Sequence, residues 1–278
     1  MTPSFASLLF GPLPHDGKIV LITRPREQAV EMTTPLETLG CRVMIQPALD
    51  ILPTTKPEEL DDALRSIEEK RVDWTVFSSA NGVRAAFGRL RALYSLKPAE
   101  CGEFWRKSGA SIAVVGDGTG RALAPYGLKP DVTPKRFDAE GLVEALDGIV
   151  KDYPSTRILS FRANRGRRVL AEAMKERGAE YREVEAYVSV EVMKPNPKVL
   201  EALQSGEIAA AVVTSSASAS SLVQMFGDDV HNTRWVAISQ LTADAMTRLG
   251  VSVAKVAKEA SMESLVQAVF DTLAEDSE

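Results

Sequence analysis

An internal repeat is the feature that most restricts how this chain can fold. The segment VFSSA that begins at Val76 resembles the segment VTSSA that begins at Val213, so Ser78 pairs with Ser215 at a spacing of 137 residues (215 − 78). Self-similarity at a fixed spacing is typical of a chain that builds one structural unit twice. We therefore expect two related halves, each with its own core.

A second run of matches extends the repeat at a shorter spacing. Arg24 pairs with Arg162 at 138 residues (162 − 24), whereas Thr119 pairs with Thr242 at only 123 residues (242 − 119). The shorter spacing predicts extra residues in the first half, within positions 87–111, which we interpret as an inserted helix and loop. Since several motifs keep each spacing, a chance likeness of two βα segments is the weaker explanation.

Apolar runs alternate along the chain with amphipathic helical patterns. Most runs are continuously apolar, as expected for strands that are covered on both faces, and each is followed by a turn of small residues. This alternation is the βαβ pattern of a parallel, doubly wound sheet. The predicted strands are Ile19 to Thr23, Trp74 to Ser78, Ile112 to Val115, Arg157 to Phe161, Ala210 to Thr214 and Trp235 to Ile238.

Small, hydroxylic and basic residues gather where the predicted strands end. Ligands of open α/β sheets bind beyond the carboxyl ends of the strands, and a helix N-terminus there attracts anions. For any single turn, helix capping is the simpler interpretation, so the ligand hypothesis depends on the whole set. The candidate binding residues are Thr23, Arg24, Ser78, Ser79, Asn81, Gly116, Thr119, Arg162, Gly166, Ser215, Ser216 and Thr242.

Two features of this set have competing interpretations. The glycine-rich loop at Gly116 follows a strand and opens a helix, which would suit a nucleotide-dependent enzyme. Its spacing is not GxGxxG, and its repeat partner, which begins at Ser239, lacks glycine. The arginines between Arg162 and Arg168 either bind an anion or form a solvated face; Arg162 and Arg165 lie nearest the strand end.

Composition narrows the possible functions. A net charge of −5 argues against a nucleic-acid partner, and no apolar run has the length of a membrane span. Two cysteines without a CxxC motif exclude a disulfide scaffold and favour a reducing, cytoplasmic location. With two histidines and no ligand spacing around them, we expect no metal site. Residues 1–16 form a predicted N-terminal arm without secretory features, and the tail from Ala274 is expected to be similarly loose.

At this point the motifs resemble a known family, the uroporphyrinogen-III synthases. The similarity runs from about Lys18 to Leu273, and the order and spacing of its motifs are more specific than any one of them. The matching segments are Ile22-Thr23-Arg24-Pro25, Phe77-Ser78-Ser79-Ala80-Asn81-Gly82-Val83, Ala139-Glu140-Gly141-Leu142, Val184-Glu185-Ala186-Tyr187, Val213-Thr214-Ser215-Ser216 and Leu241-Thr242-Ala243.

The resemblance implies an α/β fold of two flavodoxin-like parallel-sheet domains that are joined by a two-stranded linker and have exchanged their first βα units. Domain 1 would contain residues 17–45 and 191–274, and domain 2 would contain residues 53–182. The linker strands would be residues 46–52 and 183–190. This exchange is an implication of the family, because periodicity alone does not reveal it.

The resemblance also implies a reaction. Hydroxymethylbilane would lose water, its ring D would be inverted through a spiro intermediate, and the macrocycle would close as uroporphyrinogen III, with no cofactor or metal. Tyr187 matches the proposed proton donor of the family, although a packing role is an equal alternative, and Thr242 matches a residue thought to contact substrate. A monomer is implied, with transient contact with hydroxymethylbilane synthase as a possible partner interaction.

One departure from the family pattern keeps an alternative open. Ser239, Gln240 and Leu241 stand where the family often has Gly-Pro before the threonine. A non-catalytic paralogue that binds an anionic ligand in two lobes, or regulates through it, would show the same departure.

Overall fold

The computed structural model describes residues 15–275. These residues form two compact units: one holds the described residues up to Asp50 and from Val190 onward, and the other is Ile51–Ser189. Of the predicted N-terminal arm, positions 1–14 lie outside the described residues, as do positions 276–278 of the predicted tail. None of the helices between residues 15 and 275 is long and apolar enough to cross a membrane.

The described residues form ten strands and eleven α-helices, numbered here in chain order. The strands are β1 (Ile19–Ile22), β2 (Arg42–Ile45), β3 (Leu49–Pro53), β4 (Trp74–Phe77), β5 (Ser111–Val114), β6 (Arg157–Ala163), β7 (Glu180–Glu191), β8 (Ile208–Val213), β9 (Trp235–Ala237) and β10 (Val253–Val256). The helices are α1 (Arg26–Thr38), α2 (Pro57–Glu68), α3 (Ala80–Tyr94), α4 (Pro98–Ser108), α5 (Asp117–Arg121), α6 (Ala139–Asp147), α7 (Val169–Glu176), α8 (Pro197–Gln204), α9 (Ser216–Phe226), α10 (Gln240–Arg248) and α11 (Met262–Ala274).

The first unit contains a five-stranded sheet with the order β2-β1-β8-β9-β10. Its neighbouring strands pair in parallel throughout. Counted within the unit, the order is 2-1-3-4-5, as in flavodoxin. The strands β1 and β2, which come first in the chain, therefore share a sheet with the last three strands.

The second unit has a sheet with the order β3-β7-β6-β4-β5. The pairs β7-β6, β6-β4 and β4-β5 are parallel. Four of these strands repeat the arrangement of the first unit, with β6 and β7 in the places of β1 and β2. An isolated parallel bridge between Ala113 and Val132 extends the sheet beyond β5. The six predicted strands are all present, with ends that differ by up to two residues.

Both faces of each sheet are buried, which explains why the strands are continuously apolar. In β1, Val20 and Ile22 pack into one apolar cluster with α1 and α11, while Ile19 and Leu21 pack into another on the opposite face. Successive side chains of a strand point to opposite faces, so both sets must be apolar when helices cover both sides.

The predicted insertion is the helix α4, and it completes the core of the second unit. Its Trp105 is 1% exposed and lies within 6.1 Å, between ring centroids, of Phe77, Phe87 and Phe161. The indole Nε1 donates a hydrogen bond to Thr75 Oγ1 at 3.2 Å, so the buried polar atom of the ring is paired.

The structure corrects the pairing within the repeat by one residue. Ser79 is the N-cap of α3 and accepts a hydrogen bond from the Gly82 amide, while Ser215 is the N-cap of α9 and accepts one from the Ser218 amide. Ser215 therefore corresponds to Ser79 at a spacing of 136 (215 − 79), and not to Ser78. Sequence identity favoured the wrong serine because two consecutive serines stand in each half.

We predict opposite effects of alanine at two helical glycines of this unit. A Cβ at Gly102 of α4 would collide with the backbone carbonyl oxygen of Tyr126, whereas a Cβ at Gly88 of α3 would meet nothing within 4 Å. Gly102→Ala should lower the free energy of unfolding by about 1–3 kcal/mol. Gly88→Ala should raise it by about 0.5–1 kcal/mol through helix propensity. Denaturant titration of both variants tests this packing, and a stable Gly102→Ala protein would contradict it.

Candidate active site at the strand ends of the second unit

An irregularity in the pairing of β6 and β7 determines which side chains face the candidate site. Arg162 pairs with Glu185, but the next residue, Ala163, pairs with Tyr187, so β7 holds one extra residue at this point. Side chains alternate along a strand, and an extra residue reverses that alternation. Tyr187 therefore joins the apolar cluster that contains Val184, instead of the face that carries Glu185.

This reversal brings Tyr187 to the N-terminus of α3. The Tyr187 and Ser79 hydroxyl oxygens lie 2.9 Å apart, and the tyrosine side chain is only 7% exposed. Burial raises the pKa of the Tyr187 phenol, and hydrogen bonds with Ser79 and Asn81 offset part of that rise. With a raised pKa the phenol is protonated at neutral pH. Tyr187 can therefore donate a proton, but it is not ionised and cannot accept one as a phenolate.

Arg162 is held on the other face of the same strands. Its Nη1 donates to Glu183 Oε1 at 2.8 Å, and its Nη2 donates to the carbonyl oxygen of Gly166 at 2.9 Å. Gly166 has a φ of 129°, a conformation that favours glycine. Arg162 therefore fixes the shape of the loop after β6, and this contact brings together two of the candidate residues, Arg162 and Gly166.

The loop after β6 lines a pocket of about 240 Å³. Its residues are Arg162, Ala163, Asn164, Arg165, Gly166, Arg168, Glu183 and Glu185. The carboxylates of Glu183 and Glu185 offset part of the positive charge of the three arginines in this lining. Arg168 lies 3.4 Å from Glu183, and Arg167 is paired with Glu140 at 2.6 Å; the Arg167 guanidinium holds the pKa of the Glu140 carboxyl below its usual range.

Glu185 has partners of its own in the connection before α2. Burial raises the pKa of this carboxyl, but hydrogen bonds from Thr54 and Thr55 outweigh that effect and hold the pKa below its usual value. Glu185 is therefore an anion at neutral pH, and it excludes rather than attracts a second carboxylate next to it.

The glycine-rich segment forms the short helix α5. Gly116 is its N-cap without a side chain to cap it, and Thr119 is 8% exposed inside the first turn. The helix has five residues, which differs from the long helix that follows a dinucleotide loop. Ser78, by contrast, is exposed at the end of β4.

In the first unit, Thr23 and Arg24 follow β1 and are both engaged within the protein. Thr23 Oγ1 donates to the carbonyl oxygen of Val212 at 2.7 Å. Arg24 Nη1 donates to Glu31 at 2.9 Å, and Nη2 donates to Gln28 at 3.1 Å. These contacts hold the end of β1 against β8 and α1.

The remaining candidates lie at the N-termini of two helices of the same unit. Ser215 Oγ lies 2.8 Å from Ser218 Oγ, and Ser216, the first residue of α9, is half-buried. Thr242 is 3% exposed, and its hydroxyl lies 3.2 Å from that of Ser239, the N-cap of α10. Thr119 and Thr242 each occupy the third position of their helix, as the repeat predicted.

Glu183, the partner of Arg162, is a residue of the site that the motifs in the sequence did not indicate. Its alternation with Tyr181 and Glu185 along β7 was an available signal, since it puts polar side chains on one face beside the basic loop. Within residues 15–275, no three His, Cys, Asp or Glu side chains gather as metal ligands.

Parallel sheets with tyrosine, serine and arginine at the strand ends define an α/β protein whose candidate site lies at those ends. The family model described as "Uroporphyrinogen-III synthase HemD" matches residues 30–267. The chain belongs to the uroporphyrinogen-III synthase family.

Individual relatives agree with this membership. The chain is 30% identical to the uroporphyrinogen-III synthase of Synechococcus elongatus over 90% of this chain and 86% of that protein. It is 26% identical to a putative uroporphyrinogen-III synthase of Methanothermobacter thermautotrophicus over 74% of this chain and 77% of that protein.

Solved structures share the fold. A mutant uroporphyrinogen III synthase from Thermus thermophilus superposes with a TM-score of 0.61 at 20% identity, over 92% of this chain and 99% of the other. The corresponding protein from Helicobacter pylori gives 0.57 at 13% identity, over 92% of this chain and 99% of that one.

We predict that two serine caps differ in one measurable property. Ser79→Ala and Ser215→Ala each remove an N-cap and should each lower the free energy of unfolding by about 1 kcal/mol. Only Ser79→Ala also removes a hydrogen bond that lowers the pKa of Tyr187, so only that variant should raise this pKa further. Carbon-13 NMR of labelled tyrosine during a pH titration measures it; equal tyrosine titration in both variants would rule out the contact.

Proposed function

We propose that this chain is a uroporphyrinogen-III synthase, a lyase that converts hydroxymethylbilane to uroporphyrinogen III with loss of water. Family membership supports the reaction, and the observation that carries the proposal is the buried, protonated Tyr187 phenol beside Ser79 at the strand ends. The substrate itself supplies much of the driving force, because its pyrroles are electron-rich. The protein must mainly impose one geometry of ring closure.

Tyr187 is proposed to be the catalytic acid. It gives its proton to the departing hydroxyl, the carbon–oxygen bond breaks, and the pyrrole electrons form an azafulvenium cation with release of water. Ring D then attacks through its substituted carbon to give a spiro intermediate, which fragments and recombines with the ring inverted. The proton released from ring D on closure balances the one that Tyr187 gave up, so no cofactor or metal is required.

The helix N-termini are proposed to bind the carboxylates of the substrate. In the second unit these are the first turns of α3 and α5, where Ser79, Asn81, Gly116 and Thr119 lie, and in the first unit those of α9 and α10. Each helix N-terminus, with its unpaired amides, favours an anion by about 0.3–1 kcal/mol. The loop between Arg162 and Arg168 would add a guanidinium group for a further carboxylate. Thr23 and Arg24 would act indirectly, through the end of β1.

We further propose that the two compact units are domains that have exchanged their first βα units. Supporting this, β1 and β2 complete the sheet of β8–β10, while β6 and β7 complete that of β4 and β5. The proposed boundaries remain 17–45 with 191–274, and 53–182, with 46–52 and 183–190 as linker strands. Part of the second linker, from Glu183 to Tyr187, also pairs with β6.

Three features of the cellular context belong to the same proposal. Cys41 and Cys101 are buried free thiols, which favours a reducing, cytoplasmic location. We propose a monomer, and a transient contact with hydroxymethylbilane synthase, since unprotected hydroxymethylbilane closes to the wrong isomer without an enzyme.

The decisive experiment couples this protein to hydroxymethylbilane synthase. Products are oxidised and the porphyrin isomers separated by chromatography. We expect isomer III in the presence of the protein and isomer I in its absence. If isomer I alone appears while the bilane still binds, the non-catalytic alternative is correct and the synthase proposal is wrong.

Tyr187→Phe tests the catalytic acid. We expect kcat for isomer III to fall roughly 10²-fold, the low end for a general acid, because dehydration also proceeds unaided. Tyr181→Phe is the matched control: it removes a half-buried phenol from the same strand, whose hydroxyl lies 3.4 Å from Glu183 Oε1, and it should leave kcat unchanged. Equal rates in both variants would remove Tyr187 from the mechanism.

A further inference from the structure

Phe137 is an unusual residue in this chain. Between residues 15 and 275 it is the only Phe, Tyr or Trp side chain that is exposed rather than buried or half-buried, with 47% of its surface accessible. A single exposed apolar side chain is common on protein surfaces, so the case for a role of this ring depends on where it lies.

The ring lies at the carboxyl edge of the second sheet. It rests directly on Gly116, the N-cap of α5: a Cβ at Gly116 would lie 3.2 Å from Phe137 Cβ and 3.3 Å from its Cγ. The other exposed large apolar side chains of this unit lie elsewhere, Leu52 on β3 and Ile149 beyond the far end of α6. Ile149 is about one helix length, roughly 13 Å, from the site edge.

The residues around Phe137 hold it firmly. Asp138 is the N-cap of α6 and accepts a hydrogen bond from the Gly141 amide at 2.6 Å. Arg136 pairs with Asp138 at 2.8 Å and with Glu144 at 3.1 Å. Gly141 packs so closely on the Arg136 carbonyl oxygen that a Cβ there would collide with it. The ring is therefore exposed on a fixed turn.

The repeat shows what replaces this arrangement in the first unit. At the spacing of 123, Ser239 stands in place of Gly116 and Ala260 in place of Phe137. Ser239 caps its helix with its side chain, whereas Gly116 has none to offer. The second unit thus lacks a cap side chain where the Phe137 ring lies, and the first unit has the cap but no ring.

We propose that Phe137 is a substrate-contact residue whose ring stacks on a pyrrole of the substrate beside Gly116, at the start of α5. This inference rests on the proposed function. Most other candidate residues of the second unit are polar or glycine, and the aromatic ring of Tyr187 is buried, whereas the flat pyrrole faces require an accessible apolar surface. A rigid aromatic face supplies one at small entropic cost, and it sets the orientation of the ring that it covers.

Three substitutions at this position test the proposal in the coupled isomer assay. Phe137→Ala should raise KM for hydroxymethylbilane about tenfold, the scale of a stacking contact together with its buried area. It should also increase the share of isomer I at limiting enzyme. Phe137→Tyr keeps the aromatic face and should stay within a factor of about two of the wild type. Phe137→Leu keeps the apolar character without the ring and should lie between them.

Ile149→Ala is the matched control, because it shortens an exposed apolar side chain of the same unit away from the site edge. Its KM should be unchanged, and the melting temperatures of all four variants should match that of the wild type. Unchanged kinetics in Phe137→Ala would overturn the proposal, as would a loss in Phe137→Leu equal to that in Phe137→Ala. A wild-type protein that yields isomer I alone would instead refute the synthase function itself.

Discussion

Parallel pairing of the strands is the constraint on which the rest of this structure depends. Parallel neighbours require crossover connections, and the helices in those connections cover both faces of each sheet. The strands must then be apolar throughout, as Val20 and Leu21 illustrate on opposite faces of β1. Parallel pairing also places the carboxyl ends of all strands at one edge of the sheet. The polar turns that follow the strands therefore lie together at that edge.

The orientation of Tyr187 in the second unit depends on one extra residue in β7. Strict alternation would place Tyr187 on the same face as Glu183 and Glu185, among carboxylates. The irregularity opposite Arg162 and Ala163 turns it to the apolar face instead. Burial there raises the pKa of the phenol, so the side chain stays protonated at neutral pH.

The two units have diverged at equivalent positions after their duplication. The caps Ser79 and Ser215 keep the same role and the same backbone conformation in both units. Gly116 and Ser239 differ, and the difference coincides with an aromatic ring in one unit only. A duplicated scaffold can thus keep its helix-capping turns while each copy acquires its own contacts, because turns beyond the strand ends contribute little to the core.

The repeat, the apolar runs and the turns between them determined the class of the fold, because alternation of strand and helix patterns leaves few ways to bury both faces of a sheet. They also predicted the inserted helix and the set of polar strand ends that contains Ser79 and Thr242. The tertiary structure decided what local pattern does not encode: that Ser215 corresponds to Ser79, that Arg162 is held by Glu183, and that Tyr187 faces Ser79. Each of these depends on register or on a contact between distant segments, and a shift of one residue in a strand reverses the side to which every later side chain points.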